Sequence, residues 1–284
     1  MYLKTDVGSV YYQVHGPEDA PAVVFLHGVA MDHRTFEPQV EALESRYRVI
    51  VWDMPYHGYS SPIDKKRRFS ITAADLTMAI LDELHIHQAT LAGLSLGSLV
   101  AQQAAYHYPD RINAIVHISG GPLYPRFPAM LKATIPFTSV FIKLYPATLL
   151  NKAFVEHKAL AKETKAYLME TIAYTGKDVV THLTNEMVRD MVIGLPEHSA
   201  HPALIVYGDH ELRFIRKMAE RWHDSHPNSR LVEVQDAHHI LNQDNPAGFN
   251  AVLLEFLQEV LKGGEPSTQE RGADTGAAVR PRSR

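Results

Sequence analysis

Short apolar runs recur along the chain, and most are followed by a longer stretch in which apolar positions return every three to four residues. The runs are Ala22–Leu26 (AVVFL), 47–52 (YRVIVW), 89–92 (ATLA), 114–118 (AIVHI), 203–207 (ALIVY) and 230–234 (RLVEV). Runs this apolar fit strands buried on both faces. Their alternation with helical spacing over 72–84, Leu96–His107 and 247–261 predicts βαβ units and a mostly parallel sheet flanked by helices, an α/β fold. The start, MYLKTDVGSVYYQVHG, alternates apolar and polar positions like a strand with one wet face. Gly16-Pro17-Glu18-Asp19 separates 9–15 from Ala22–Leu26 and predicts an antiparallel hairpin of those two runs.

The rhythm breaks at about Pro122 and resumes at about Ala200. No convincing strand pattern occurs there, while helical spacing runs over 153–174 and 177–192. The apolar stretch RFPAMLKATIPFTSVFIKLYPATLL at its start is cut by Pro128, Pro136 and Pro146. This predicts a core domain over 1–121 and 201–262 with a helical cap inserted over 122–200. A helix lying on a membrane surface is the alternative for the apolar stretch, and sparse basic residues weigh against it. The segment 263–284 has almost no large apolar residue and predicts a disordered tail.

Composition narrows the class. With 284 residues, 45% hydrophobic and 21% charged, the chain can bury a large core. A formal net charge of −4 argues against a nucleic-acid binder, which needs a basic stripe. The absence of cysteine excludes disulfides, thiolate chemistry and cysteine-based zinc sites. The start lacks the apolar core of a signal peptide, and no run reaches the roughly 18 apolar residues of a spanning helix. No transmembrane segment and a cytoplasmic location are therefore expected. Nothing in the sequence assigns an oligomeric state.

Gly93-Leu94-Ser95-Leu96-Gly97 is a G-x-S-x-G pentapeptide between the run ATLA and a helical pattern. That is the context of a nucleophile elbow, where glycines on both sides let a serine occupy a sharp, strained turn. Such a serine needs an oxyanion hole. His27-Gly28-Val29 follows the strand AVVFL, and an amide near Val29 together with that of Leu96 would supply one, with His27 holding the loop through its ring. It also needs a base. Of seventeen histidines, His238 and His239 stand just after RLVEV, at the carboxyl end of a strand where such sheets place their sites. A base in turn needs an acid. Gly208-Asp209-His210-Glu211 follows ALIVY and offers two carboxylates, Asp209 and Glu211. No carboxylate-flanked set of metal ligands is visible, and no metal or other cofactor is expected.

The order Ser…acid…His is that of α/β-hydrolases. The sequence resembles that superfamily, specifically its esterase- and lipase-like members with a helical cap, over about residues 8–262. The resemblance rests on FLHGVAMD, WDMPYHGYS, LAGLSLGS with its helix, and AHHILNQDNPAGFN. It implies an α/β-hydrolase fold with Ser95 as nucleophile. Family members place the acid three residues after the glycine ending the penultimate strand, which from Gly208 is Glu211, with Asp209 as the alternative. They place a proline seven residues after the catalytic histidine, which from Pro246 gives His239. Val29 and Leu96 then supply the oxyanion amides, supported by His27, Gly28, Gly93 and Gly97. Tyr56 departs from the pattern by standing where the family usually has glycine. Ile240, in a position often held by tryptophan in carbon–carbon bond hydrolases, points away from those.

The resemblance implies a serine hydrolase that cleaves a small-molecule carboxylic ester with an apolar, small to medium acyl group, through an acyl-enzyme on a Ser-His-Glu triad, with the cap roofing an apolar pocket. Other acyl chemistry on the same triad (lactone opening, acyl transfer to an alcohol, perhydrolysis) is the nearest alternative. A ligand sensor would turn over slowly and change partner affinity on binding. A catalytically inert interaction module would not turn over at all.

Overall fold

The computed structural model describes residues 1–264 apart from 134, 137–139, 141 and 143; the expectation of a disordered tail falls, beyond Gly264, outside the described residues. An eight-stranded sheet runs in the order β1-β2-β4-β3-β5-β6-β7-β8. Its strands are β1 (Tyr2–Thr5), β2 (Gly8–His15), β3 (Ala22–Leu26), β4 (Arg48–Trp52), β5 (Ala89–Leu94), β6 (Ile112–Ile118), β7 (Ala203–Gly208) and β8 (Ser229–Val234). From β4 to β8 neighbouring strands are parallel, so their carboxyl ends share one edge. β3 and β5 are buried at every position, as their unbroken apolar runs require.

The expected hairpin between β2 and β3 does not form. β2 pairs antiparallel with β1 and with β4, Tyr12 opposite Trp52, while β3 lies one strand further in, between β4 and β5. The reason is burial. β2 alternates between buried and half-exposed positions and suits a place near the rim, whereas all five residues of β3 need cover on both faces. At the far rim β8 is half-exposed, and Arg230 reaches from it to Glu255 at 2.9 Å and Glu259 at 3.3 Å.

Helices α1 (Glu37–Leu43), α2 (Phe69–Glu83) and α3 (Leu96–His107) connect the first strands. Between β6 and β7 the chain forms α4 (Ala147–Glu156), α5 (Lys162–Thr175) and α6 (Lys177–Ile193), with no strand among the described residues there. The core then closes with α7 (Arg213–Ser225), the short α8 (Leu241–Asp244) and α9 (Pro246–Gly264). The helical pattern expected without a break over 153–174 is interrupted after Glu156. The amides of Leu160 and Ala161 both donate to Asp244 Oδ1 at 2.9 Å, and Lys158 O accepts from Ile240 N at 3.0 Å. Tertiary hydrogen bonds thus replace the intrahelical ones, a context that periodicity does not carry.

The tightest junction joins β5 to α3 through one residue. Ser95 has φ 52 and ψ −108, a left-handed region that side chains rarely adopt. The turn is possible because Gly93 and Gly97 are bare. A Cβ on Gly93 would lie 2.3 Å from Gly97 O, and one on Gly97 only 2.0 Å from Leu26 O. Gly97→Ala should therefore force β3 and α3 apart and lower stability by about 3 kcal/mol, the upper part of the usual overpacking range. Urea denaturation measures this, and a loss under about 0.5 kcal/mol would contradict the close approach.

Candidate active site

Ser95, Glu211 and His239 follow β5, β7 and β8 respectively, so the parallel sheet brings all three loops to its carboxyl edge. The structure joins two of them directly. His239 Nδ1 lies 2.6 Å from Glu211 Oε2, with both residues 3% exposed. Glu211 Oε1 accepts from Leu212 N at 2.9 Å, so both carboxylate oxygens are engaged. Burial alone would raise the Glu211 pKa, but His239, Lys158 and the Leu212 amide outweigh it and hold the carboxyl well below its ordinary range. His239 moves down from the usual imidazole value, first through burial and then through the Lys158 ammonium, with Glu211 pulling the other way. Its Nε2 is buried and has no hydrogen-bond partner among the described residues. Ser95 N donates to Ile118 O at 2.9 Å, and no hydrogen bond of its Oγ occurs among the described residues.

Asp209 sits elsewhere. Its Oδ1 accepts from Ala237 N at 3.0 Å, bracing the loop that leads to the histidines. The chain turns here, with Glu211 N donating to Gly208 O at 3.0 Å, and of the two carboxylates only Glu211 meets the ring. His238 turns back on its own loop, its Nδ1 accepting from His239 N at 2.8 Å.

The loop after β3 is held by two histidines. His27 Nε2 accepts from Met54 N at 2.9 Å, and its Nδ1 donates to Gly28 O at 2.8 Å. His57 repeats the arrangement, accepting from Ala30 N at 3.1 Å and donating to Pro55 O at 3.0 Å. Each ring must be neutral, with the proton on Nδ1, to do this. Gly28 lies against the nucleophile candidate, since a Cβ built on it would come within 3.5 Å of Ser95 Cβ. The amides of Val29 and Leu96 take part in no hydrogen bond among the described residues and remain available as donors. Tyr56 accepts the left-handed conformation a glycine would take, at φ 72. Its hydroxyl donates to Ile63 O, and its ring stacks on Phe69 of α2 and meets His182 of α6 edge-on.

Several residues near the site received no role from the sequence. Tyr167 Oη, on α5, accepts from Asp32 N at 2.9 Å, and Arg34 reaches Glu170 on the same helix at 3.0 Å. Asp190 of α6 is buried and takes Arg68 at 2.6 Å and Ser70 Oγ at 2.5 Å. Asp244 Oδ2 accepts from His238 N at 3.0 Å while its Oδ1 holds the Leu160 and Ala161 amides. The turn between α4 and α5 is thereby fastened to the His239 loop, and it carries Lys158 beside the Glu211–His239 pair. Charge periodicity gives no sign of Lys158 or Asp244; only the three-dimensional meeting of two distant loops does. A separate groove of about 950 Å³, lined by Ala22, Thr90, Asn113, Ala203 and Ser229, lies at the amino ends of the strands, away from these residues.

A family model described as the alpha/beta hydrolase fold matches residues 21–246. The chain is 27% identical over 253 residues to 3-oxoadipate enol-lactonase 1 of Acinetobacter baylyi, covering 87% of this chain and 92% of that protein. It is 24% identical over 264 residues to carboxylesterase YbfK of Bacillus subtilis, covering 90% and 86%. Among solved structures, the enol-lactonase from Burkholderia xenovorans LB400 superimposes with a TM-score of 0.76 at 22% identity, covering 91% of this chain and all of that one.

The neutral histidines set an acid limit on stability. Burial lowers His27, against opposition from Asp53, and brings His57 and His117 down to about 3. The unfolded chain takes up these protons near pH 6.5 while the folded protein refuses them. The stability they contribute is therefore complete above about pH 6.5 and falls as pH drops toward 3. Each histidine should cost about 1 kcal/mol per pH unit below about pH 6. Urea denaturation at pH 7.5, 6 and 5 should show this loss before carboxylates titrate. Equal stability at pH 7.5 and 5 would contradict the neutral state of these buried rings.

Proposed function

The chain belongs to the alpha/beta hydrolase fold family and is a hydrolase, and from that premise we propose that it cleaves a small carboxylic ester by acyl transfer through Ser95. The observation that carries this reading is the buried 2.6 Å contact of His239 Nδ1 with Glu211 Oε2, which leaves Nε2 as the ring's unpartnered basic nitrogen. A carboxylate that holds the proton on Nδ1 makes Nε2 the acceptor for a serine proton.

In the first half-reaction Ser95 Oγ attacks the carbonyl carbon while its proton passes to His239 Nε2. The carbonyl oxygen becomes an oxyanion and accepts hydrogen bonds from the Val29 and Leu96 amides, at the start of α3 where the helix end favours negative charge. Glu211 stabilises the imidazolium. Collapse breaks the carbon–oxygen bond to the alcohol, which leaves with the Nε2 proton, and Ser95 carries the acyl group. In the second half-reaction His239 takes a proton from water, the hydroxide adds to the acyl carbon, and the acid departs as Ser95 Oγ recovers the proton. The 122–200 insertion, fastened over this edge through Tyr167, Asp190 and Asp244, serves as the cap that shapes the pocket.

Lactone opening on the same residues is the second reading, favoured by the name of the Acinetobacter relative, an enol-lactonase. It needs the same steps, with the alcohol still tethered to the acyl group. A panel of p-nitrophenyl esters of graded chain length beside γ- and δ-lactones distinguishes the two.

Two outcomes test the residue roles. Ser95→Ala should lower kcat by roughly 10³-fold or more. Glu211→Gln should cost at least about 10²-fold and Asp209→Asn less than about tenfold, because only the first leaves the imidazole free to change tautomer. The reverse ranking, measured on p-nitrophenyl butyrate, would reassign the acid. A third outcome concerns pH. Because burial and Lys158 push His239 down, kcat/KM should rise with pH through an apparent pKa below the ordinary 6.5. An acid limb centred above 7 would contradict that environment.

A further inference from the structure

One charged side chain at the site has no part in the reaction just described. Lys158 lies in the turn between α4 and α5, and three hydrogen bonds fix that turn: Ile240 N to Lys158 O at 3.0 Å, and the Leu160 and Ala161 amides to Asp244 at 2.9 Å each. Its backbone is therefore tied to the residue next to His239. The residue is half-buried and keeps some contact with solvent. The ammonium makes no hydrogen bond, and no carboxylate oxygen lies within ion-pair distance of it among the described residues. Glu211, whose charge it feels, already spends one oxygen on His239 and the other on Leu212 N.

We infer that Lys158 anchors an anionic group of the substrate, so that the ester or lactone taken by this site carries a carboxylate of its own. This rests on the acyl-transfer reading for the site. A cation partly withdrawn from water with no partner is a cost to the protein, and burial accordingly weakens its hold on the proton. An apolar side chain would fill the same place without that cost. The ammonium also works against the chemistry of the free enzyme, because it opposes a positive charge on His239. An arriving carboxylate removes both penalties together. It gives the ammonium its missing partner and cancels the field that disfavours the imidazolium. Binding of the anion therefore favours the proton transfer from Ser95, and a charged substrate gains in kcat as well as in KM.

The test compares mono-p-nitrophenyl glutarate, whose acyl chain ends in a carboxylate, with neutral p-nitrophenyl butyrate, in the wild-type chain and in Lys158→Met, Lys158→Arg and Lys158→Glu. The quantity read is the ratio of kcat/KM for the charged ester to that for the neutral one. Lys158→Met should lower this ratio roughly 30-fold, the scale of a lost charge-assisted hydrogen bond. Lys158→Arg should keep most of it, and Lys158→Glu should lower it further. Equal losses on both esters, leaving the ratio unmoved, would overturn the proposal and make Lys158 a structural residue. A second measurement needs no turnover. Glutarate should raise the melting temperature of Ser95→Ala, and the rise should vanish in Ser95→Ala combined with Lys158→Met. Glutarate binding that depends on Lys158 without ester turnover would sink the acyl-transfer reading alone. Ser95-dependent turnover of both esters with an unchanged ratio and no glutarate effect would sink the Lys158 proposal alone.

Discussion

At φ 52 and ψ −108 the Ser95 backbone leaves β5 and enters α3 within one residue, and its surroundings are arranged to permit this. Gly93 and Gly97 remove the side chains that would collide, which allows α3 to come down on β3 at van der Waals distance. That approach sets the start of the helix beside the loop after β3, and the two backbone segments meet around the serine. His27 and His57 then fix the loop from behind with four hydrogen bonds to main-chain atoms. The loop is thus held by the protein's own hydrogen bonds on the side away from the serine.

The helices between β6 and β7 are attached to this edge by ties of unequal strength. Asp190 is buried with two partners, so separating α6 from α2 would strand a charge. The Arg34–Glu170 pair is exposed and contributes little. Between these extremes, Asp244 joins the α4–α5 turn to the histidine loop through backbone amides. Displacement of that turn therefore draws on the same carboxylate that holds the His238 amide, and the turn moves together with the His239 loop.

Much of this was legible in the chain because it is local. Two-sided burial makes a strand continuously apolar, and the core strands from Ala22–Leu26 onward read as such. The elbow was legible because its steric demand falls within five consecutive residues. Loops after strands pointed to the neighbourhoods of Glu211 and His239. What was not legible depends on distant parts meeting. Gly16-Pro17-Glu18-Asp19 is a turn, but the turn residues do not say which strand lies beyond it; the edge position of β2 follows from competition for buried places in the sheet. The helical pattern through 153–174 is genuine, yet amides of Leu160 and Ala161 find a better acceptor in Asp244, eighty residues away. Lys158 has the sequence surroundings of a solvated surface lysine, and only the fold brings it near Glu211 and His239.

Among the described residues the sheet is open, and β8 presents one side without a neighbouring strand. Such a side is a template on which a second chain could add a strand, the usual beginning of aggregation. Here the strand is short and half-exposed, and it carries Arg230, bound to Glu255 and Glu259, and Glu233, 3.8 Å from Arg216. Strand addition along β8 would have to dehydrate both charged side chains and disturb their partners on α9 and α7. The charges that hold the last helix to the rim also keep the rim from recruiting another copy, so replacing Arg230 with an apolar residue would trade solubility as well as packing.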